Sequence, residues 1–123
     1  MATETRTWLQ RDESLTSLDY VGALLAAITG LIHLYEGVED WGEGFIGVLF
    51  VLAGLGFFGA IVLLFLGAPK RPLYLAGIVF TGIQFVAYFV LRWPDIYEFI
   101  GLFDKVVQLA LVLVLAALYL RSG

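Results

Sequence analysis

The sequence predicts an all-α integral membrane protein, a bundle of four transmembrane helices. Three observations lead to this fold class: 61% of the 123 residues are hydrophobic, only 15% are charged, and the mean hydropathy is +0.94. A soluble domain has roughly 45 to 50% apolar residues and about 25% charged residues. The excess of apolar residues is collected in four long runs, each able to cross the bilayer as a helix whose peptide groups bond to one another.

These runs set the domain organisation, a polar cytoplasmic tail followed by one transmembrane domain. The first run, opened by Ser17 or Asp19 as a helix cap, ends at a loop rich in glycine and carboxylates. The second is free of charge, the third lies between two proline-containing breaks, and the fourth has charged residues in its first turns. The expected ranges are 1–17 for the tail and 18–121 for the domain, with spans at about 18–35, 45–67, 73–91 and 99–120.

The distribution of basic residues predicts the orientation. One side of the membrane would carry Arg6, Arg11, Lys70, Arg71 and Arg121. The other would carry Arg92, with Lys105 within reach. Because Lys and Arg favour the cytoplasmic side, we expect a multi-pass plasma-membrane protein with both termini in the cytoplasm. Amphipathic rings prefer the membrane surface, and those expected at the outer interface are Trp41, Trp93, Tyr97 and Phe99.

The two halves of the sequence share a short pattern. Thr29 precedes Trp41 by as many positions as Thr81 precedes Trp93. The first and third spans run in the same direction, so the halves could be two parallel-repeat hairpins. The charged residues are not repeated, so any chemistry would belong to one half only.

Small residues recur at helical spacing on the first two spans. Helices in lipid associate through close backbone contact and interhelical hydrogen bonds, because the hydrophobic effect does not drive helices together there. The stripes favour helix packing within the bundle, and a surface for another protein is the alternative. The residues expected to pack are Gly22, Ala26 and Gly30 on the first span, and Gly56 with Ala60 on the second.

Polar side chains cluster toward the outer ends of the first, third and fourth spans. Ionisable residues at membrane depth are costly unless they pair, face a bundle interior or line a wet cavity. Two interpretations follow: an ion-pair network, with Arg92 bound to Glu36 or Asp104, or a pocket for a ligand, an ion or a proton. The candidate residues are His33, Glu36, Gln84, Tyr88, Arg92, Asp104, Lys105 and Gln108.

Composition excludes several functions. Cysteine is absent, which removes disulfides, thiolate catalysis and cysteine-bound zinc. His33 is the single histidine, so one chain can supply neither two histidines to haem nor three to a metal. No basic stripe points to nucleic acid. The sequence therefore predicts no cofactor, no metal site and no catalytic residue.

Several segments support a resemblance to a known family. They are Leu18-Asp19-Tyr20, Thr29-Gly30-Leu31-Ile32-His33-Leu34-Tyr35, Thr81-Gly82-Ile83-Gln84 and Trp93-Pro94-Asp95. With these, nearly the whole chain resembles a family of small, uncharacterised four-span membrane proteins of halophilic archaea. The resemblance implies the plasma membrane of a halophile, and it implies no activity or ligand.

Three functions remain as hypotheses. The first is a non-enzymatic accessory subunit or scaffold, with the lipid bilayer and either a homo-oligomer or a larger membrane complex as partners. The second is a small transport or ligand-binding protein with an outer-facing polar pocket. The third is a quinone- or redox-linked membrane enzyme. The small-residue stripes and the lack of catalytic motifs favour the first.

Overall fold

Four α-helices make up the protein. A computed structural model describes residues 15–122, so most of the polar tail, including Arg6 and Arg11, lies outside the described residues. The helices are α1 (Ser17–Glu39), α2 (Phe45–Phe65), α3 (Lys70–Arg92) and α4 (Phe99–Arg121). All four are long and apolar enough to cross a membrane. The chain is therefore a multi-pass membrane protein with the four-helix bundle that its sequence predicts.

Two helices are longer than the apolar runs on which the expected spans were based. α1 continues through the polar residues that follow Tyr35, and its end is closed by the Asp40 N–H, which donates to the Glu36 carbonyl. α3 begins at Lys70, before Pro72. Proline is tolerated there because the first N–H groups of a helix have no partner within the helix. Hydropathy thus locates the apolar part of each helix, whereas the helix itself extends beyond it.

A capping box begins α1. Its N-cap is Thr16, where Ser17 or Asp19 was expected. The Thr16 hydroxyl accepts from the Asp19 N–H, and the Asp19 carboxylate accepts from the Thr16 N–H at 2.8 Å. That carboxylate also accepts a hydrogen bond of 2.5 Å from the Tyr74 hydroxyl and lies 3.4 Å from the Lys70 ammonium. The same group therefore starts α1 and joins it to α3.

The helices pack in a chain of neighbours. α1 packs against α2 and α4, α3 packs against α4, and α2 and α3 barely meet. The small residues of α1 lie inside the bundle, where Gly22, Ala26 and Gly30 are all buried. A methyl group at Gly30 would come within 2.8 Å of the Phe58 ring. The stripe on α1 thus serves packing within the chain.

The second small-residue notch receives a ring from α3. A methyl group at Gly56 would come within 2.6 Å of the Phe80 ring, which also packs edge-on against Phe57, with 5.0 Å between the ring centroids. Ala60, one turn further along, lines a small void of about 60 Å³ within the bundle. This aromatic contact is where α2 and α3 come together.

The two ends of the bundle differ in character. We call the end with the α1–α2 and α3–α4 loops the loop end, and the opposite end the terminal end. Four aromatic residues at the loop end are between 59% and 80% exposed: Trp41, Trp93, Tyr97 and Phe99. Exposed rings at one end of a bundle are typical of residues that lie at a membrane surface.

Candidate functional site

Five polar side chains are buried together between α1 and α4 in the half of the bundle nearer the loop end. Thr29 and Gln108 have no exposed surface, and His33, Asp104 and Lys105 are at most 6% exposed. α1 contributes its two residues one turn apart, and α4 contributes the other three within two turns. We call these five residues the polar core.

Four members of the polar core form a closed ring of contacts. The Thr29 hydroxyl donates to Oδ1 of Asp104 at 2.5 Å and accepts a longer bond, 3.4 Å, from Nε2 of Gln108. The Lys105 ammonium donates to Oε1 of Gln108 at 2.5 Å and lies 3.5 Å from Oδ2 of Asp104. Because every member has a partner on the facing helix or on its own, the ring offsets the cost of burying a charge pair.

His33 extends this ring. Its Nδ1 lies 2.8 Å from the Thr29 carbonyl oxygen and 3.8 Å from Oδ2 of Asp104. A carbonyl oxygen can only accept, so Nδ1 carries a hydrogen, and in the neutral ring Nε2 then holds the lone pair. Within the described part of the chain, Nε2 has no hydrogen-bond partner. The ring itself is held between Phe50 and Phe57, with centroids 5.8 and 5.5 Å away.

A cleft of about 670 Å³ opens beside the polar core, between α2 and α3. It lies on the loop-end side of the contact between Phe57 and Phe80, where the two helices separate. Its walls are apolar, with Ile46, Leu49, Phe50, Leu52 and Ala53 from α2 and Phe80, Ile83, Ala87 and Leu91 from α3. Leu52 is 57% exposed and Ile83 is 64% exposed. The cleft therefore opens sideways to the surface that faces lipid.

The floor of the cleft is polar. His33, Asp104 and Lys105 reach it from the polar core, and Glu36 joins them from the next turn of α1. Pockets of about 300 to 1,000 Å³ with apolar walls and a few convergent polar groups are typical of small-molecule sites. The cleft has both the size and this arrangement.

Arg92 closes the cleft toward the loop end. Its guanidinium lies 4.0 Å from Asp40 and 3.8 Å from Glu98, one carboxylate from each loop region. Among the described residues, Arg92 therefore pairs with these two carboxylates, and not with Glu36 or Asp104 as expected from the sequence. Tyr88, one turn earlier, donates to the Ile96 carbonyl at 2.6 Å.

Two acceptors in the cleft have no partner among the described residues. Glu36 makes neither a hydrogen bond nor an ion pair there. Gln84 donates through its amide nitrogen to the Phe80 carbonyl at 3.1 Å, but its Oε1 is buried without a partner. Buried polar atoms are rarely left without a hydrogen bond, so Oε1 of Gln84 beside the cleft is a candidate for ligand contact. Glu36 is only partly buried.

A protein-family model matches most of the chain. DUF7475, described as a family of unknown function, matches residues 3–121. The chain belongs to this family. No curated protein matches the chain, and no solved structure does. Membership of DUF7475 shows a relationship over most of the chain and assigns no role to any residue.

In this DUF7475 protein, seven of the eight polar candidates from the sequence line one cleft. They are His33, Glu36, Gln84, Tyr88, Arg92, Asp104 and Lys105. Gln108 is the eighth, and it is fully buried behind the floor as a partner of Lys105. Their role as a binding site stays a prediction.

Sequence reasoning missed two contacts in the DUF7475 chain. Thr29 is not among the candidates predicted from the sequence, although it bonds to both Asp104 and Gln108. The bond of Tyr74 to Asp19 was not foreseen either. The pattern Thr16-x-x-Asp19 was a detectable capping signal, but nothing in the sequence pairs it with α3.

No group of three or more histidine, aspartate or glutamate side chains is placed to hold a metal ion in residues 15–122 of this DUF7475 member. The polar core has one carboxylate, one imidazole and one ammonium.

Proposed function

We propose that this multi-pass membrane protein binds a small amphiphilic molecule in the cleft between α2 and α3. The observation that carries the proposal is the cleft itself, which has about 670 Å³ of space, apolar walls and a polar floor. A molecule with a polar head and an apolar body matches this division, because the head can meet hydrogen-bonding groups while the body stays in contact with apolar side chains.

The alternative of an accessory subunit or scaffold has less support. Its main argument was the stripe of small residues as a partner surface, and these residues face their own neighbours: Gly30 faces Phe58, and Gly56 faces Phe80. The outward surface of the four helices consists largely of exposed aliphatic side chains, as expected for contact with lipid. Association with other copies or proteins stays a prediction.

For localisation we propose the plasma membrane, with both termini in the cytoplasm. Lys70, Arg71 and Arg121 support this orientation, since they lie together at the terminal end. The loop end would then be outside. The cysteine-free chain allows a direct test: Gly42→Cys should react with a membrane-impermeant maleimide added to intact cells, and Ser122→Cys should react only after permeabilisation.

Binding can be tested by filling the cleft. Three fluorescent probes share one apolar body and differ in the head: pyrenemethylamine, pyrenemethanol and pyrenecarboxylate. We expect at least one to bind the protein in phosphatidylcholine nanodiscs, measured as a rise in fluorescence anisotropy above that with empty nanodiscs. Ala87→Phe should abolish the rise because the new ring occupies the cleft.

Ala76→Phe is the matched control, since Ala76 is on the same helix and exposed outside the cleft. A second filling variant, Ala53→Phe, tests the opposite wall in case Ala87→Phe does not fold. Circular dichroism verifies that each variant is helical. If no probe binds, or if the filling variants bind as the wild type does, the proposal is wrong.

A further inference from the structure

The hydrogen-bond donors and acceptors that line the cleft differ in whether they have partners within the protein. Two donors are engaged: the Lys105 ammonium bonds to Gln108 and lies beside Asp104, and the Tyr88 hydroxyl donates to a loop carbonyl. The Arg92 guanidinium lies 4.0 and 3.8 Å from two carboxylates at the edge of the cleft. Lys105 and Tyr88 therefore already have acceptors within the protein.

The acceptors are the groups that remain. Glu36 has no hydrogen bond or ion pair with any described residue. Oε1 of Gln84 is buried without a partner. His33 is only 4% exposed, and the lone pair on its Nε2 is unmatched because Nδ1 is the nitrogen that donates to Thr29. A carboxylate, an amide oxygen and an imidazole nitrogen thus share one cleft, and all three can accept a hydrogen bond.

The charges around the cleft favour the same kind of ligand. Four carboxylates line it, those of Glu36, Asp40, Glu43 and Asp104, against the two cations of Arg92 and Lys105. Asp104 is matched by Lys105, and Asp40 by Arg92. The carboxylate of Glu36 has no cation within ion-pair distance, and Arg92 and Lys105 act on it electrostatically from farther away.

From these observations we infer that the ligand is a cationic amphiphile, a primary ammonium or similar multi-donor cation on an apolar body, with Glu36 as its anchor. This rests on the proposed function and names the head group for that cleft. An ammonium offers three donors, which matches the three acceptors in kind and number.

The three pyrene probes test the head group directly. After each affinity is divided by the probe's partition coefficient into the nanodisc lipid, we expect pyrenemethylamine to bind at least about tenfold more tightly than pyrenemethanol, and pyrenecarboxylate to bind most weakly. Glu36→Gln should weaken the amine by about tenfold, since a charge-assisted bond becomes a neutral one, and should leave the alcohol within about twofold. Glu39→Gln is the matched control, because it removes the same charge from an exposed position on α1 outside the cleft.

The outcomes separate this inference from the proposal on which it rests. Equal affinities for amine and alcohol, a preference for the carboxylate, or equal effects of Glu36→Gln and Glu39→Gln would overturn the cationic head group while leaving the cleft as a binding site. Failure of all three probes to bind would overturn both. Preference for the amine together with selective weakening by Glu36→Gln supports both.

Discussion

The Thr29 hydroxyl donates to the Asp104 carboxylate across the α1–α4 interface, with 2.5 Å between the oxygens. Both side chains are buried, at 0% and 3% exposure. In the repeat pattern of the sequence, the counterpart of Thr29 is Thr81, which is also fully buried but whose hydroxyl has no hydrogen-bond partner in the described chain. Two threonines with the same burial therefore differ in bonding.

This contrast gives a matched pair of substitutions. Thr29→Val should lower the free energy of unfolding by about 1 to 3 kcal/mol, because Asp104 loses a donor in a buried site. Thr81→Val removes an unpartnered hydroxyl and should be neutral or stabilising. Reversible unfolding by SDS in mixed micelles measures both. Equal losses in the two variants would show that the hydroxyl of Thr29 does not contribute through Asp104.

The charge pair in the polar core should behave as a unit. Asp104→Asn leaves the Lys105 ammonium buried without its carboxylate and should cost about 3 to 5 kcal/mol of unfolding free energy. Adding Lys105→Met should recover part of that loss, because the uncompensated charge is removed as well. A double-mutant cycle measured by SDS unfolding gives the coupling free energy between Asp104 and Lys105.

The control for this pair is Glu98→Gln. Glu98 is an exposed partner of Arg92, at 3.8 Å, and exposed ion pairs contribute at most about 1 kcal/mol. The prediction is contradicted if the double variant is as unstable as the sum of the two single variants.

Close contact between α1 and α2 near the loop end predicts that two glycines of α2 differ in their tolerance of alanine. A methyl group at Gly47 would lie 2.7 Å from the Asp40 carbonyl oxygen, and backbone cannot move aside as a side chain can. Gly47→Ala should therefore destabilise the bundle by about 1 to 3 kcal/mol. Gly59→Ala on the same helix meets nothing within 4 Å and should be neutral or stabilise by up to about 1 kcal/mol. Thermal unfolding monitored by circular dichroism ranks the two, and the reverse order would be inconsistent with this packing.

The hydrogen bond between α1 and α3 at the terminal end can be tested by removing a single oxygen atom. Tyr74→Phe removes the hydroxyl that donates to Asp19 at 2.5 Å and should cost about 1.5 to 3 kcal/mol, the range for hydrogen bonds to a charged group. Tyr20→Phe is the control, since Tyr20 is 55% exposed and its hydroxyl bonds to no described residue. SDS unfolding of the two variants should differ by more than about 1 kcal/mol.

The fold could be predicted from the sequence because lipid offers the peptide groups of the backbone no hydrogen-bond partner. An apolar run such as Phe45–Phe65 can satisfy its peptide groups in a bilayer only by forming a helix, so length and hydropathy identify it. Helical spacing also placed Thr29, His33 and Glu36 on one face of α1. Both inferences depend on local spacing.

The cleft could not be predicted in the same way, because it depends on which helices meet. α2 is apolar on every side, so no face of it is marked as the one that packs against α3. Its sequence therefore does not indicate that α3 separates from α2 on the loop-end side of Phe57. The partners of Arg92 depend on the paths of two loops, which bring Asp40 and Glu98 to it. Contacts between distant segments determine the candidate site, and a single sequence does not encode them in a readable pattern.

The sideways opening between Leu52 and Ile83 has a consequence for how occupancy is measured. A molecule that enters there comes from the hydrocarbon phase, so the quantity that governs occupancy is its mole fraction among the lipids. Diluting the protein into more bilayer at constant total probe should then empty the cleft, because the mole fraction of the probe among the lipids falls. Compounds that partition strongly will look potent for that reason alone, and affinities become comparable only after division by their partition coefficients.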